Sequence, residues 1–419
     1  MLWIRFNFLF LICISTSIPG FTLGIDQDHE QVLSQSDNGQ HERPLSVCET
    51  DHDKHGHSEF KPDETAFHHI SNPNVYSIGP WNFPLPCILY SVEDGLDLFL
   101  SNKFNFDRWG HGNGRTAYRK YILQGGTIHR LVDPYFPDGS VEIGPVAEVE
   151  KQIFVCYEGS PYEIDVKSTI DGGLFGGGIT SFYDFSITKN VVTMMLVSVI
   201  LIWMFISIAR SYRSREGLAP KGLQSFMEPI FVFIQDEVAK PFLGRKWEKY
   251  LPLLLALFFF ILGLNLIGQI PFLGNPNVTG NLAVTMALAV LAFLVTTMSG
   301  KKHYWSHVLW MPGVPILIRV LVITPVEILG LFIKPFTLML RLFANITAGH
   351  MVVLSFIGLI FIFGESGTSV AGASIGALVS VPLTIFMMAI ELLVAFIQAF
   401  VFTILTASYI GAAIEDDHH

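Results

Sequence analysis

The sequence predicts an all-α polytopic membrane protein preceded by a small mixed or partly disordered domain. Hydrophobic residues make up 51% of the 419 positions and charged residues only 15%, and the mean hydropathy is +0.47. This combination is unusual for a soluble protein and ordinary for a chain with several membrane helices. Charge separates the two parts, because residues 25–180 hold 11 Lys and Arg against 24 Asp and Glu, whereas residues 181–419 hold 14 against 12.

The beginning of the chain predicts a signal peptide. Arg5 is followed by an apolar stretch and then by small and turn-forming residues, which is the order found in secretory signals. An uncleaved membrane anchor is the alternative. Short aromatic and β-branched runs between residues 70 and 180 predict strands. The predicted division is a signal peptide over 1–24, an acidic extracytoplasmic region over 25–185 and a membrane domain over 186–419.

Histidines and cysteines are the reactive side chains of the acidic region. Residues 26–69 are rich in histidine and carboxylates, which can bind a metal, but they lack apolar periodicity. A solvated tail without a metal site is therefore favoured. Without the signal peptide three cysteines remain, at 48, 87 and 156. An odd number in an oxidising compartment allows one disulfide, for which we predict Cys87–Cys156.

Five apolar stretches are long enough to cross a bilayer, since about 20 residues span the hydrocarbon core. The last two are about twice that length, which predicts long, tilted helices or helices broken near Pro335 and Pro382. Residues 224–239 mix charged and apolar positions, which predicts an amphipathic helix along the interface. The five predicted spans are 191–209, 250–272, 282–298, 325–363 and 369–414.

Positive residues predict the orientation of these spans. Residues 210–249 hold eight Lys and Arg, whereas the loop after Phe272 and the turn around Glu365 hold none. Loops rich in Lys and Arg remain in the cytoplasm. We therefore expect a periplasmic N-terminus, five crossings and a cytoplasmic C-terminus, which agrees with the signal peptide.

Ionisable and amide side chains crowd into the last two spans. An ionisable side chain there costs about 2.5–3.5 kcal/mol and usually marks a pathway or a paired site. The first of these helices carries a stripe with spacings of 7, 7 and 4, which keep its members on one face. The stripe consists of Glu327, Lys334, Arg341 and Asn345. His350 faces elsewhere, whereas Glu391 and Gln398 share a face of the last helix. Glu391 can meet His350 if the two helices pair antiparallel.

These residue types suit the movement of protons. Arg341 keeps its charge at any accessible pH, so it cannot relay a proton, but it attracts an approaching carboxylate and blocks leakage past itself. Histidine is the side chain type that titrates near neutrality, so His350 is suited to exchange protons with the carboxyl group of Glu391. The alternative is structural, with a salt bridge between Arg341 and Glu327 and an interior histidine whose hydrogen bonds are satisfied.

Four segments, in order, resemble the a subunit of F-type ATP synthases. Residues 334–350 (KPFTLMLRLFANITAGH) resemble the signature helix of that family, and residues 391–402 (ELLVAFIQAFVF) resemble its final helix. Residues 236–241 (DEVAKP) and 264–271 (LNLIGQIP) also resemble family segments. The resemblance covers about residues 190–414 and implies nothing about the N-terminal region.

The resemblance implies a role for each polar residue of the last two helices. Arg341 matches the essential arginine that faces the carboxylates of the rotor ring, with Asn345 and Gln398 as polar neighbours. Glu327 matches a residue of the cytoplasmic half-channel. His350 and Glu391 match the interacting pair of the opposite half-channel, in the exchanged order also found in mitochondrial-type members.

Two positions depart from the family pattern. Ala344 stands where a glycine is usual beside the arginine, which alters how closely a neighbouring helix can approach. Gly268 stands where some members carry an acidic residue, so the resemblance does not extend a channel role to this loop. The exchange of His350 and Glu391 keeps the chemistry of the pair.

The implied partners are a ring of c subunits, peripheral-stalk b subunits and the lipid bilayer of a bacterial inner membrane. Because no nucleotide-binding loop is present, the chain is expected to be a non-catalytic subunit without a cofactor. A nucleic-acid partner is excluded by the lack of a basic patch. A secondary transporter is the alternative function, although no repeated halves are visible. A membrane metalloenzyme is disfavoured, since His303 and His307 lack companion histidines.

Overall fold

The protein consists of a β-rich N-terminal part and a bundle of long helices. The computed structural model describes residue 48 and residues 73–78, 81–106, 113–149, 152–169, 178–270, 276–301, 304–306, 316–364 and 369–415. The predicted signal peptide, most of the histidine-rich segment and the pair His303 and His307 lie outside these residues. The two parts meet at residues 185–189, where the last strand leads into the first long helix.

The described part of the N-terminal region forms antiparallel sheets, as the strand prediction for residues 70–180 required. A two-stranded sheet pairs β1 with β2, a three-stranded sheet has the order β12-β3-β4, and a seven-stranded sheet has the order β8-β5-β6-β7-β11-β10-β9. The strands are β1 Val75–Ile78, β2 Trp81–Pro84, β3 Pro86–Ser91, β4 Gly95–Leu100, β5 Thr116–Tyr118, β6 Tyr121–Gln124, β7 Thr127–Leu131, β8 Ser140–Glu142, β9 Val146–Val149, β10 Gln152–Tyr157, β11 Ser160–Asp165 and β12 Phe182–Asp184. We call this part the β-domain.

Two-residue turns set the register of the larger sheet. Gly125 and Gly126 connect β6 to β7 with φ of 56° and 78°, and Glu158 and Gly159 connect β10 to β11 with φ of 48° and 76°. Left-handed backbone at both turn positions matches the twist of the flanking strands. A side chain at position 126 would also collide with Pro73, so glycine is required there.

The disulfide prediction for the β-domain is wrong. Cys156 bonds to Cys48, with Cα atoms 5.8 Å apart. Cys87 is instead a free thiol, fully buried in the core between the three-stranded and seven-stranded sheets. Counting cysteines cannot reveal which two α-carbons lie within bonding range, and a thiol packs in a core as a small apolar group.

Among the described residues, five helical segments are long and apolar enough to cross a membrane, as predicted. The main helices are α1 Lys189–Ser214, α2 Leu223–Phe233, α3 Trp247–Gly268, α4 Leu282–Ser299, α5 Thr324–Phe363 and α6 Val370–Ile414. Short helical turns, including a π-helical segment over Ile234–Ala239, connect α2 to α3. Helix α2 falls in the stretch predicted as an interfacial helix, and its position at the interface remains a prediction.

The last two helices run continuously through their prolines. Pro335 and Pro382 both lie inside uninterrupted helix, which selects long helices over broken ones. At 1.5 Å per residue, the 40 residues of α5 extend about 60 Å, which is twice the thickness of the hydrocarbon core. A helix of this length fits within a bilayer only when it is strongly tilted, as the sequence predicted.

Helices α5 and α6 pack against each other in antiparallel register. The hydroxyl of Ser380 donates to the carbonyl of Phe356, and an added Cβ at Gly376 would lie 3.1 Å from the Cα of Ile360. In both contacts the two residue numbers sum to 736. Residues whose numbers have nearly this sum therefore lie level with each other along the pair.

Candidate functional site

A histidine and a carboxylate meet between the last two helices. Nδ1 of His350 on α5 lies 3.3 Å from Oε1 of Glu391 on α6. The two side chains are only 8% and 12% exposed. The contact predicted from antiparallel pairing is therefore present. A buried imidazole beside a carboxyl group can accept a proton from it and return one.

A glycine allows this close approach. Gly349 faces the Glu391 side chain so closely that an added Cβ would lie 2.5 Å from Oε1 and 3.1 Å from Cγ. Any larger residue at position 349 would force the carboxylate of Glu391 to move. The backbone of α5 therefore forms one wall of the site.

Two further polar residues lie beside the pair, and the sequence analysis did not identify them as site residues. Thr279 donates its hydroxyl to Oδ1 of Asn265 at 2.7 Å, and Nδ2 of Asn265 donates to the carbonyl of Ala395 at 3.3 Å. Ala395 is one helical turn beyond Glu391. The signal that could have found Asn265 is an amide inside an otherwise apolar span, in a segment already noted for its family resemblance.

The second ring nitrogen of His350 is directed toward the end of α3. Nε2 is buried and has no hydrogen-bond partner among the described residues, and it lies 3.9 Å from where a Cβ on Gly268 would be. Buried polar atoms are usually hydrogen-bonded, so Nε2 is a polar atom open to a partner outside the described residues. An added Cβ at position 268 would also lie 2.9 Å from the carbonyl oxygen of Pro276, so this glycine lets the chain before α4 pack closely against the end of α3.

The predicted stripe lies on an open part of α5. Glu327 and Arg341 are half-buried, and Lys334 and Asn345 are exposed. In an apolar environment, exposed polar groups on a helix require a polar partner.

No described carboxylate lies within ion-pair distance of Arg341. The structural alternative, a salt bridge with Glu327, does not form, because 14 residues separate the two along one helix, which is about 21 Å. The helix register instead brings Gln398, which is 7% exposed, level with Arg341. Tyr409 lies within electrostatic range of the guanidinium.

Glu327 belongs to a second polar group near the other end of the pair. Burial and, second, the charge of Glu327 raise the pKa of Tyr304, and Nζ of Lys334 lies 5.7 Å from the centre of the Tyr409 ring. Tyr304, Lys334 and Tyr409 line one small cavity with Thr296. Glu327 and His350 are 23 residues apart on α5, about 35 Å, with Arg341 between them.

This arrangement defines a class of protein: a multi-pass membrane protein with separate groups of ionisable residues at two depths. Comparison with known families identifies it further. Residues 191–411 match the family model described as ATP synthase A chain. The chain belongs to this family, and its resemblance to subunit a of F-type ATP synthases is thereby confirmed.

Curated relatives support the same assignment. The chain is 40% identical over 243 residues to ATP synthase subunit a of Chloroherpeton thalassium, covering 57% of this chain and 69% of that protein. It is 41% identical over 250 residues to ATP synthase subunit a 2 of Prosthecochloris aestuarii, covering 57% and 71%. Subunit a of Anaeromyxobacter dehalogenans is 37% identical over 277 residues, covering 63% and 68%. The chain is a multi-pass inner-membrane protein that takes part in ATP synthesis and ion transport.

The β-domain matches a different family. Residues 65–167 match a model described as a domain of unknown function, DUF8433. The match overlaps most of the described strands and ends before α1. It assigns no activity to the β-domain.

Proposed function

We propose that this chain is the proton-translocating stator subunit of an F-type ATP synthase. Two half-channels reach the middle of the membrane from opposite sides, and Arg341 separates them. The observation that carries the proposal is the buried contact between His350 and Glu391, nine residues along α5 from a guanidinium that no described carboxylate neutralises.

A permanent charge at position 341 keeps the two half-channels apart. A guanidinium does not give up its proton at accessible pH, so a proton cannot pass through it. It does attract an ionised carboxylate brought to it by another subunit. Such a carboxylate must release its proton on one side of Arg341 and receive a new one on the other. Asn345 and Gln398 supply hydrogen bonds at that depth.

The partner that brings the carboxylate is a ring of c subunits. The open face of α5 supports this, because Asn345 and Lys334 are exposed among large apolar side chains such as Phe336. The ring covers this face, b subunits of the peripheral stalk hold the chain still, and lipid covers the remaining apolar surface. No nucleotide site is assigned to the chain itself.

The direction of the path follows from the proposed orientation, with a periplasmic N-terminus and a cytoplasmic C-terminus. Protons enter from the periplasm past Glu391 and His350, beside Asn265 and Thr279. They neutralise a rotor carboxylate, travel with the ring nearly a full turn, and leave toward the cytoplasm along Glu327. Lys334 and Tyr304 line that exit.

Replacing the central cation tests the proposal. In the assembled complex in inverted vesicles, Arg341→Ala is expected to abolish ATP-driven proton pumping, because the rotor carboxylate loses the charge that makes it release its proton. The matched control is Arg213→Ala, at an exposed position near the end of α1, which should pump normally. Normal pumping by an assembled Arg341→Ala complex would refute the role of Arg341.

The entry pathway is tested separately. Glu391→Gln keeps the size of the side chain but removes its titration, so proton flux should fall severely while the complex still assembles. Glu248→Gln, at an exposed position on α3, is the control. Unchanged flux in Glu391→Gln would remove Glu391 from the path and leave the role of Arg341 intact.

The alternative of an ion-coupled secondary transporter is not favoured by the family match. It predicts that the isolated chain transports ions by itself. Co-purification of the chain with an oligomeric ring of small hairpin proteins would support the stator function. Isolation of the chain alone as a stable, transporting unit would support the secondary transporter.

A further inference from the structure

The three-stranded sheet of the β-domain has an apolar outer face that nothing in the described chain covers. Along β4 the outward side chains are leucines, with Leu96 61% exposed, Leu98 62% and Leu100 45%. On β3, Tyr90 lies directly opposite Leu96 and is 44% exposed. On β12 and just beyond it, the rings of Tyr183 and Phe185 stack 6.4 Å apart. We call these six residues the apolar face.

The opposite side of this sheet already forms the core of the domain. Cys87, Leu89 and Phe182 point inward and are buried with the larger sheet. Folding of the β-domain therefore does not explain the apolar face. A contiguous apolar patch of this kind marks a site of contact with another molecule or with a membrane.

The link to α1 fixes where one end of the three-stranded sheet lies relative to that helix. Strand β12 ends at Asp184, and helix α1 begins only five residues later. The amide of Ile187 donates to the carbonyl of Pro86, and the amide of Lys189 donates to the carbonyl of Pro73. The end of the sheet that holds Leu100 therefore lies at the point where α1 enters the membrane.

Polarity increases away from that point. The turn between β3 and β4 holds Glu93 and Asp94 at the far end of the sheet. Both bind Arg130, with Nη2 2.9 Å from Glu93 and 2.6 Å from Asp94. The charged groups are thus at the end remote from α1, and the apolar face itself contains no charged side chain.

We propose that the apolar face rests on the lipid leaflet at which α1 begins. A protein interface of standard size contains about ten hydrogen bonds, whereas the hydroxyls of Tyr90 and Tyr183 are the only polar side-chain atoms of this face. Tyrosine and leucine suit the boundary between headgroups and acyl chains, where aromatic residues are enriched. The covalent link to α1 holds the face beside that boundary, so little ordering is needed for contact.

Photolabelling of the assembled complex tests this contact. The complex is placed in lipid nanodiscs that contain a phospholipid with a diazirine on its acyl chain, irradiated and mapped by mass spectrometry. The peptides that contain Leu98 and Phe185 should be labelled several-fold more than the peptide with Tyr135. Tyr135 is the internal control because it is 91% exposed and lies after β7, outside the apolar face.

A charged substitution gives the second readout. Leu98→Glu should reduce labelling of its peptide several-fold, because a carboxylate is expelled from the acyl region, and Tyr135→Glu should change nothing. Detection of the Cys48–Cys156 disulfide reports that each variant is folded. Labelling of Leu98 at the level of Tyr135, or photocrosslinks from the face to another polypeptide or a second copy, would overturn the proposal. If a variant fails to fold, the labelling of the wild-type peptides alone still tests the proposal. The outcome has no bearing on the proton path.

Discussion

Adding one methyl group beside the His350–Glu391 pair is the sharpest test of how tightly the site is built. In Gly349→Ala, the new Cβ would lie 2.5 Å from Oε1 of Glu391, 3.1 Å from Cγ and 3.2 Å from Cδ. Ordinary contacts of a Cβ begin at 3.4 Å. The carboxylate must therefore move by about 1 Å, and we expect this to take Oε1 out of hydrogen-bond distance of Nδ1, now 3.3 Å away.

The size of the effect follows from the bond that is lost. A hydrogen bond to a charged group contributes about 1.5–3 kcal/mol, and about 1.4 kcal/mol corresponds to a factor of ten in rate. Proton flux should therefore fall by about 10- to 100-fold. Alanine favours helix by about 1 kcal/mol relative to glycine, so the loss will not arise from unfolding of α5.

The assay is ATP-driven proton pumping by the assembled complex in inverted vesicles, with assembly measured in the same membranes. The matched control is Gly330→Ala on the same helix, where an added Cβ meets nothing within 4 Å. Pumping by Gly330→Ala should stay near wild type. Equal pumping by the two variants would show that the contact between His350 and Glu391 does not limit proton transfer, and the reasoning would fail.

Three further predictions concern the β-domain. Burial lowers the pKa of His129 from 6.5 to about 4, so between these pH values the folded protein binds fewer protons than the unfolded chain. The contribution of His129 to the free energy of unfolding should therefore be fully present above pH 6.5 and fall by up to about 3 kcal/mol as the pH drops toward 4. Limited proteolysis of the full chain across this range should show the loss, and His129→Gln should flatten it. The Cys48–Cys156 disulfide closes a sequence separation of 108 residues, so its reduction should destabilise the β-domain by about 5 kcal/mol in the chain-entropy account. Thermal unfolding with and without reductant measures this, and an unchanged transition contradicts the pairing. Burial and, second, the charge of Asp184 raise the pKa of Cys87 to about 12. Alkylation at pH 8 should therefore modify this thiol only after the β-domain unfolds. Fast labelling of the native chain would contradict the burial of Cys87.

The membrane part of the fold was predictable because each span is a local property of composition. A window of about 20 apolar residues identifies a crossing without knowledge of its neighbours, and each of the five predicted spans overlaps a long helix of the structure. The stripe of Glu327, Lys334, Arg341 and Asn345 followed in the same way from helical periodicity. Whether Pro335 breaks α5 was left open, because the effect of an internal proline depends on the groups packed around it.

The residues missed by the sequence analysis depend on contacts between distant segments. Asn265 and Thr279 form one hydrogen-bonded group only because α3 ends where the chain returns toward α4. Gly349 has a role only because Glu391 comes from the neighbouring helix. The apolar face of the β-domain was also invisible, since alternating leucines in β4 predict one buried face but not which face it is.

The sequence by itself determined which segments cross the membrane, which face of α5 is polar and which residue types are available for moving protons. These properties depend on neighbours within a few turns of helix. Only the tertiary structure decided that α5 and α6 pair in the register that joins His350 to Glu391, that Cys156 bonds to Cys48 rather than Cys87, and that the leucines of β4 face outward. Each of these depends on the relative positions of segments far apart in the chain, which are set by the packing of whole helices and sheets.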